Sequence, residues 1–345
     1  MSNGRHSEGY DDSNRAFLQA FMARSTMTFA EAKPLLASIL SVRGGEPVSE
    51  DDITEEDLTS FITAANTAIS RFDLEIRSTL PQLQLDSPTE NDTTPERVYA
   101  LVNTTSDGLT QLATIYTPDE ISFVKRILDR MFEANNNRIT EAMAISSIEA
   151  IQQAKAPGEN RRESGAATQQ TQGGAAQSLS MTQAETVLKQ LVEDGWFEKS
   201  RKGYYTLSPR GLMELRGWLV ATYNDENEDG RRNNKIKLCA ACKDIITVGQ
   251  RCGNRECTGR LHDHCMRSFF RVQQAEQCPV CRAPWPGDKF VGERAITSQK
   301  NRRASNSRRS AVGPSTQLSS TQLSSTQLSG TQSSEPADDE DMGSD

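Results

Sequence analysis

The chain has 345 residues, a formal net charge of −8 and an apolar content of 35%. Its length allows two or three domains, and the low apolar content favours small domains joined by disordered segments over one large globule. The acidic balance argues against bulk affinity for nucleic acid, although it is compatible with a local basic patch. No run of about eighteen apolar residues occurs, so we predict no transmembrane helix, and the polar start "MSNGRHSEGYDDSNR" does not resemble a secretory signal.

The first predicted domain covers residues 12–115 and follows a disordered N-terminus over residues 1–11. Apolar residues at helical spacing predict one or two helices from Asn14 to about Leu40, and a third within "VSEDDITEEDLTSFITAANTAISRF". The segments "LEIRSTL" and "RVYALVNT" alternate like two paired strands. Helices followed by a small hairpin predict a winged helix.

The second predicted domain, residues 116–225, repeats this order. Helical spacing predicts helices in "TPDEISFVKRILDRMFEA", "ITEAMAISSIEAIQQA" and "TQAETVLKQLVEDG", and a closing helix in "SPRGLMELRGWLVATY". Between them, "WFEKSRKGYYTL" reads as strand, turn and strand. A Gly-, Gln- and Ser-rich insert at about residues 155–179 is predicted to be disordered. The order again predicts a winged helix.

Winged helices often place their third helix in the major groove of DNA. In the second domain that helix carries Glu185 and Glu193, which suits a negatively charged groove poorly. We therefore predict that this domain docks to protein. A weak DNA contact through the basic hairpin, at Lys199, Arg201 and Lys202, is the alternative.

The cysteines are confined to one short segment. All seven lie between Cys239 and Cys281, and none occurs in the other 302 residues. A disulfide framework more often uses an even number of cysteines. Seven thiols and one nearby histidine make eight ligands, which is enough for two tetrahedral zinc sites. Both sites would be coordinatively full, so the two zinc ions are predicted to be structural.

Ligands separated by two residues can bind one zinc ion together. His262 has this separation from Cys265, whereas His264 adjoins Cys265, so His262 is the predicted ligand and His264 a flanking residue. RING and PHD modules interleave their ligand pairs. Such pairing assigns the first zinc to Cys239, Cys242, His262 and Cys265, and the second zinc to Cys252, Cys257, Cys278 and Cys281.

The ligand order over residues 236–290 fits either a RING or a PHD module. PHD modules usually carry an aromatic residue two positions before the seventh ligand, and here that residue is Glu276. The last pair reads "CPVC", which is common in RING modules and favours the RING interpretation. RING-type ubiquitin ligases have no covalent catalytic residue; they hold a ubiquitin-loaded conjugating enzyme in a reactive conformation.

In such ligases the enzyme-facing surface comes from the loop after the first ligand pair, the central helix and the residues around the last pair. Arg282 follows the eighth ligand, where many RING ligases carry a cation that contacts ubiquitin. The alternative is that Ile246 and Phe269 form a small core and that Arg282 is merely exposed. The predicted contact residues are Ile245, Ile246, Phe269, Pro279, Arg282 and Trp285.

Two winged-helix-like domains followed by a RING with histidine as its fifth ligand are an unusual combination. With "RVYALVNTTSDGLTQLATIYTPDEISFVKRIL" and "CPVCRAPWP", the chain resembles the RING-bearing non-SMC element 1 family of the structural-maintenance-of-chromosomes 5/6 complex over about residues 12–290. The resemblance implies docking to a MAGE-family non-SMC element, partner-dependent ubiquitin ligase activity, and a nuclear, chromosome-associated role in DNA repair. The alternatives are a non-catalytic structural zinc subunit of that complex and a PHD-like histone reader.

The tail, residues 291–345, is predicted to be disordered and contains a five-residue repeat that lies beyond the family pattern. Thr-Gln is the site preference of DNA-damage checkpoint kinases, and each phosphate would add close to two negative charges. Repeat slippage in a tolerant tail is the alternative. The candidate phosphorylation sites are Thr316, Thr321, Thr326 and Thr331.

We predict that genotoxic stress increases phosphorylation of these four threonines. Mass spectrometry of the chain isolated from treated and untreated cells measures it directly. Four unmodified threonines after treatment would favour the slippage alternative.

Overall fold

A computed structural model describes residues 10–82, 95–104, 112, 115–156, 177–224 and 234–298. These residues form a mixture of helix and antiparallel sheet with a cysteine-rich C-terminal module, which confirms the predicted α+β class. None of the helices in these ranges is long and apolar enough to cross a membrane. The four Thr-Gln sites, residues 1–9 and most of the predicted insert lie outside the described residues.

The N-terminal unit (residues 10–104) packs three helices against a three-stranded sheet. Capping boxes start the second and third helices, where Thr28 pairs with Glu31 and Thr54 with Asp57. The short strand β1, which lies within the stretch predicted as one or two helices, pairs with β3, so the sheet order is β1-β3-β2. The elements are α1 (Asp12–Arg24), β1 (Thr26–Thr28), α2 (Phe29–Gly44), α3 (Glu55–Ile69), β2 (Leu74–Thr79) and β3 (Val98–Asn103).

The core of the N-terminal unit is built on three phenylalanines. Phe17 and Phe21 come from α1, and Phe61 comes from α3. The ring of Phe17 lies 5.9 Å from that of Phe21 and 5.4 Å from that of Phe61, in tilted geometry that aromatic pairs favour. This core is separate from a second hydrophobic core, whose residues lie between Leu112 and Val291.

The middle unit (residues 112–224) again combines helices with a three-stranded antiparallel sheet, in the order β4-β6-β5. Gly203, at φ +79°, makes the turn between β5 and β6, a conformation that glycine adopts readily. Both units thus combine helices with a three-stranded antiparallel sheet, and their assignment as winged helices stays a prediction. The elements are α4 (Pro118–Asp129), β4 (Ile145–Ser146), α5 (Ser147–Gln152), α6 (Met181–Glu193), β5 (Phe197–Lys199), β6 (Tyr204–Leu207), α7 (Pro209–Glu214) and α8 (Arg216–Tyr223).

Two helices of the middle unit are shorter than predicted. The helix predicted from Ile139 begins only at Ser147, because residues before it bond elsewhere: Asn136 forms an isolated β-bridge with Glu141. The predicted closing helix divides at Leu215 into α7 and α8. The ends of the predicted disordered insert are also ordered, since the amide of Leu179 donates to the carbonyl of Ala154 at 3.0 Å.

The zinc module (residues 234–298) contains a small sheet, one complete helix and a helical segment over residues 293–298. Its strands are ordered β8-β7-β9. The predicted tail therefore starts too early, because β9 pairs with β7 and the chain continues in an ordered form to residue 298. Gly292 has φ +88° and donates its amide to the carbonyl of Glu141 at 2.7 Å, which ties this segment to the middle unit. The elements are β7 (Gly249–Arg251), β8 (Arg260–Leu261), α9 (Asp263–Gln273) and β9 (Phe290–Val291).

The middle unit and the zinc module are not separated by a break in packing. Ile236, Ile245 and Val291 of the zinc module belong to the same hydrophobic core as Phe132 and Tyr223 of the middle unit. The predicted boundary between residues 225 and 236 therefore marks a change of sequence type but not a change of core.

The helix α7 joins the middle unit to the N-terminal sheet by packing against β3. Glu214, at its end, is buried, lies 3.6 Å from Nε of Arg210 and accepts a hydrogen bond from the backbone amide of Asn103. Burial outweighs these two favourable contacts and raises the pKa of Glu214.

We predict that Glu214→Gln raises the melting temperature at about pH 8. Because the pKa is raised in the folded chain, Glu214 destabilises the fold increasingly as the pH rises above its ordinary pKa, and the difference between variant and wild type should vanish towards about pH 3, where both states are protonated. Thermal unfolding across this pH range measures it, with the exposed Glu193→Gln as control. An unchanged or lower melting temperature at the alkaline end would contradict the prediction.

Candidate metal centre

The first ligand set comes from two loops and the start of α9. Cys239 and Cys242 precede the first strand of the module, His262 immediately precedes α9, and Cys265 lies in its first turn. Nδ1 of His262 lies 3.3 Å from Sγ of Cys242 and 3.9 Å from Sγ of Cys265. Tetrahedral Zn–S and Zn–N bonds place such atoms about 3.6 Å apart, so the set fits one zinc ion.

The second ligand set is made entirely of thiols. Sγ of Cys252 lies 3.5 Å from that of Cys281, and Sγ of Cys257 lies 3.5 Å from that of Cys278. Tetrahedral zinc with four thiolates requires about 3.8 Å between sulfurs. Gly259 is required here, because a side chain at this position would collide with Sγ of Cys278.

The structure brings together the two ligand sets that the spacing predicts, with all ligand atoms of each set within 4.8 Å of one another. The predicted cofactor content is confirmed, since the two clusters fit two zinc ions. The interleaved order, with first and third pairs in one site and second and fourth in the other, forms a cross-brace.

Contacts within the first ligand set shift the pKa values of Cys239 and His262 in opposite directions. Hydrogen bonds from the thiols of Cys242 and Cys265 lower the pKa of Cys239 far below its usual range. Burial opposes protonation of His262, but contacts with the Cys239 and Cys242 thiols outweigh it and raise its pKa to about 9. Zinc must therefore displace a proton from His262 at neutral pH.

His264 does not belong to either ligand set. Its ring stacks on that of His262, with centroids 5.0 Å apart and planes 15° from parallel. Burial lowers the pKa of His264 to about 4, so the ring is neutral at physiological pH and can stack beside the ligand without adding charge.

Two of the predicted enzyme contacts are part of the core. Ile245 and Ile246 are 2% and 0% exposed, and Ile245 belongs to the core shared with the middle unit. Their positions after the first ligand pair matched the usual contact loop, but here this loop faces inward. Neither side chain is available to a partner in this arrangement.

The other predicted contacts lie around the second zinc site. Phe269, Pro279 and Arg282 line one shallow depression; Phe269 and Pro279 are half-buried and Arg282 is exposed. Trp285 is half-buried against the second ligand set, and its Nε1 donates to Oε1 of Gln250 at 3.0 Å. Trp285 therefore stabilises the module and offers only part of its surface.

The basic hairpin of the middle unit is partly engaged by the zinc module. Nζ of Lys202 lies 3.6 Å from the buried carboxylate of Glu293, and Nζ of Lys199 lies 5.1 Å from the ring centre of Tyr205. Arg201 is exposed between them. Of the three cations of this hairpin, which is the wing of the predicted winged helix, two therefore already contact other side chains.

Sequence reasoning missed the residues that attach the module to the helical units. Arg260 is fully buried and bonds Glu141 of the middle unit, and Gln82 of the N-terminal unit bonds the loop after Ile245. The only local signal is an arginine between two zinc ligands. Its partner lies 119 residues away, so no local pattern identifies it.

Comparison with known proteins gives one consistent result. A family model described as "Nse1 non-SMC component of SMC5-6 complex" matches residues 14–215, and a RING-like domain model matches residues 239–281. Human non-structural maintenance of chromosomes element 1 homolog is 23% identical, covering 80% of this chain and 84% of its own. The Schizosaccharomyces pombe protein of the same name is 22% identical, covering 83% and 97%.

The fold is also similar to a solved structure. One chain of an Nse1-Nse3-Nse4 complex superposes with a TM-score of 0.58 at 21% identity, covering 81% of this chain and 99% of that chain. The RING-like match favours the RING over the PHD interpretation of the zinc module.

The assignment of His262 gives a direct metal prediction. We predict that the wild-type chain contains two zinc ions, that His262→Ala loses the zinc of the first set, and that His264→Ala retains both. Atomic spectroscopy of the purified chains measures zinc per chain. Loss of zinc in the His264 variant with retention in the His262 variant would reverse the assignment.

Proposed function

Because the chain belongs to the Nse1 family of non-SMC components of the SMC5-6 complex, we propose that it is a RING-type E3 ubiquitin-protein ligase subunit of that complex. It would hold a ubiquitin-loaded conjugating enzyme against its zinc module. Its setting would be nuclear and chromosome-associated, in chromosome maintenance and DNA repair.

The observation that carries this proposal is the depression beside the second zinc site. Two apolar side chains, Phe269 and Pro279, stand next to the exposed guanidinium of Arg282. Val280 and Val272, each adjacent in sequence to a residue that lines the depression, are also exposed, with fractions of 57% and 85%. An apolar patch with one cation at its edge can bind an apolar loop of one protein while the cation donates to a second.

The chemistry assigned to this surface is positioning. All seven cysteines belong to the two zinc sets, so the described ligand residues leave no thiol to carry a ubiquitin thioester. Each set already offers four ligands, the number that a structural zinc uses. Holding a thioester and its acceptor in a reactive geometry is sufficient to accelerate transfer. Arg282 would fix ubiquitin through hydrogen bonds from its guanidinium.

The proposed partners follow from the family and the structural match. A related chain is found in a complex with Nse3 and Nse4, and the similarity extends over 81% of this chain. We propose that this chain assembles with the corresponding non-SMC elements, including a MAGE-family protein, through its helical units. The ligase activity would depend on that assembly.

A non-catalytic structural role in the same complex is the alternative. The inward-facing Ile245 and Ile246 favour it, because the loop that usually contacts the conjugating enzyme is occupied in the core. A weak DNA contact through the wing remains a further proposal and would depend on Lys199 and Arg201, since Lys202 is paired with Glu293.

We predict that Arg282→Ala and Phe269→Ala each reduce ubiquitin transfer on the order of tenfold in the assembled complex while both zinc ions are retained. Autoubiquitination with a panel of conjugating enzymes measures the rate. Arg255→Ala, an exposed arginine elsewhere in the module, is the matched control.

Ile246→Ala serves a different purpose in this assay. Its side chain is fully buried, so we expect a loss of stability of about 2–5 kcal/mol, and its effect on transfer would not report enzyme contact. A complex that stays inert with every conjugating enzyme, or that is unaffected by the Arg282 and Phe269 substitutions, would support the structural alternative.

A further inference from the structure

Each zinc site has, close to one of its ligands, a polar side chain that comes from outside the zinc module. We propose that Gln82 of the N-terminal unit is a positioning residue for the first zinc site and that Glu141 of the middle unit is one for the second. Neither residue is a zinc ligand. Each acts through one intermediate group that touches a ligand, and together they make zinc retention depend on the docking of both helical units.

At the first site the intermediate group is the carbonyl of Ile245. Nε2 of His262 lies 3.3 Å from this oxygen, while Nδ1 faces the ligand sulfurs. A histidine that binds zinc through Nδ1 carries its proton on Nε2 and can donate it to this carbonyl. Such a bond orients the ring and strengthens it as a ligand.

Gln82 holds that carbonyl in place. Its Nε2 donates to the oxygen of Ile245 at 2.6 Å, and its Oε1 accepts from the amides of Thr247 and Val248 at 2.8 and 3.0 Å. One amide side chain thus fixes three consecutive peptide groups of the loop that orients His262. Without it, buried backbone groups of this loop lose their partners, a costly change.

At the second site the intermediate group is Arg260, which is fully buried. Its Nη1 donates at 2.8 Å to the carbonyls of both Cys257, a zinc ligand, and Gly259. Its Nε and Nη2 donate to the two carboxylate oxygens of Glu141 at 2.7 and 2.5 Å. Arg260 is therefore fixed between the ligand loop and the middle unit, and Glu141 determines its position.

The contact of Arg260 with the second site is also electrostatic. Zinc with four thiolates carries a net charge of about −2, which a nearby guanidinium stabilises. Arg260 supplies that charge, and Nζ of Lys237 also lies 3.2 Å from Glu141. Removing the carboxylate would leave Nε and Nη2 of the buried Arg260 without their acceptor, so we expect the guanidinium to lose its fixed orientation against the ligand loop.

The two side-chain contacts reach different sites, although the middle unit also packs on Ile245 of the first-site loop. Removing the Gln82 amide should therefore weaken the first site, and removing the Glu141 carboxylate should weaken the second. This selectivity distinguishes the proposal from general destabilisation, which would expose both sites together.

The test uses the full chain and its own thiols. Because all seven cysteines are ligands, the rate at which each one is alkylated in the presence of a zinc chelator reports the loss of zinc from its site. Peptide mass spectrometry resolves Cys239, Cys242 and Cys265 of the first site from Cys252, Cys257, Cys278 and Cys281 of the second.

We expect Gln82→Ala to speed alkylation of the first-site thiols by about tenfold or more, and Glu141→Gln to do so at the second site. Glu141→Asp keeps the charge at a shorter reach and should give a smaller effect confined to the second site. There are two control variants. Glu256→Gln breaks an exposed ion pair with Arg138 that also joins the zinc module to the middle unit, and Gln190→Ala changes an exposed glutamine.

Rates equal to those of the controls would overturn the proposal. It would also be overturned if both Glu141 variants accelerated alkylation equally at all seven thiols, because that pattern indicates unfolding of the whole module. If Glu141→Gln unfolds the module while Glu141→Asp affects only the second site, the proposal stands.

Discussion

The buried ion pair between Glu141 and Arg260 is the contact on which the arrangement of the C-terminal half depends. Burying two charges is unfavourable unless their geometry compensates for lost hydration. Here both carboxylate oxygens accept from the guanidinium, and the two hydrogens of Nη1 reach two backbone carbonyls. All of these hydrogen bonds can form together in only one relative placement of the two side chains. The ion pair therefore fixes the zinc module in one orientation on the middle unit and resists loss of either partner.

A fixed orientation matters for a surface whose proposed task is positioning. The depression formed by Phe269, Pro279 and Arg282 contributes no bond-making group, so its effect would come from where it holds a partner. If the zinc module moved freely, the depression would face in many directions relative to the helical units. The ion pair, the shared core and the Gln82 contacts hold the module in one orientation. A partner bound to the helical units would thereby be held in a defined position relative to the zinc module.

Local chemistry was readable from the sequence, and contacts between distant residues were not. Pair spacing identified three of the four ligand pairs, because a zinc knuckle is built from two ligands with two residues between them. Helix starts at Thr28, Thr54 and Thr117 follow capping signals within four residues. The strand β1 and the burial of Ile245 depend on partners far along the chain, so periodicity could not reveal them. The domain boundary at 290 failed for the same reason, since β9 exists only through pairing with β7.

The burial of Ile245 and Ile246 has a physical reason that bears on function. The module has a very small core of its own, made of the ligands Cys252, Cys257 and Cys278 with Trp285 packed on them. So small a core gives little hydrophobic stabilisation, which zinc and packing against a larger domain must supplement. Ile245 supplies that packing and is lost to any partner. A ligase built this way would therefore bind its conjugating enzyme chiefly through the helix and the last ligand pair, where exposed apolar residues remain.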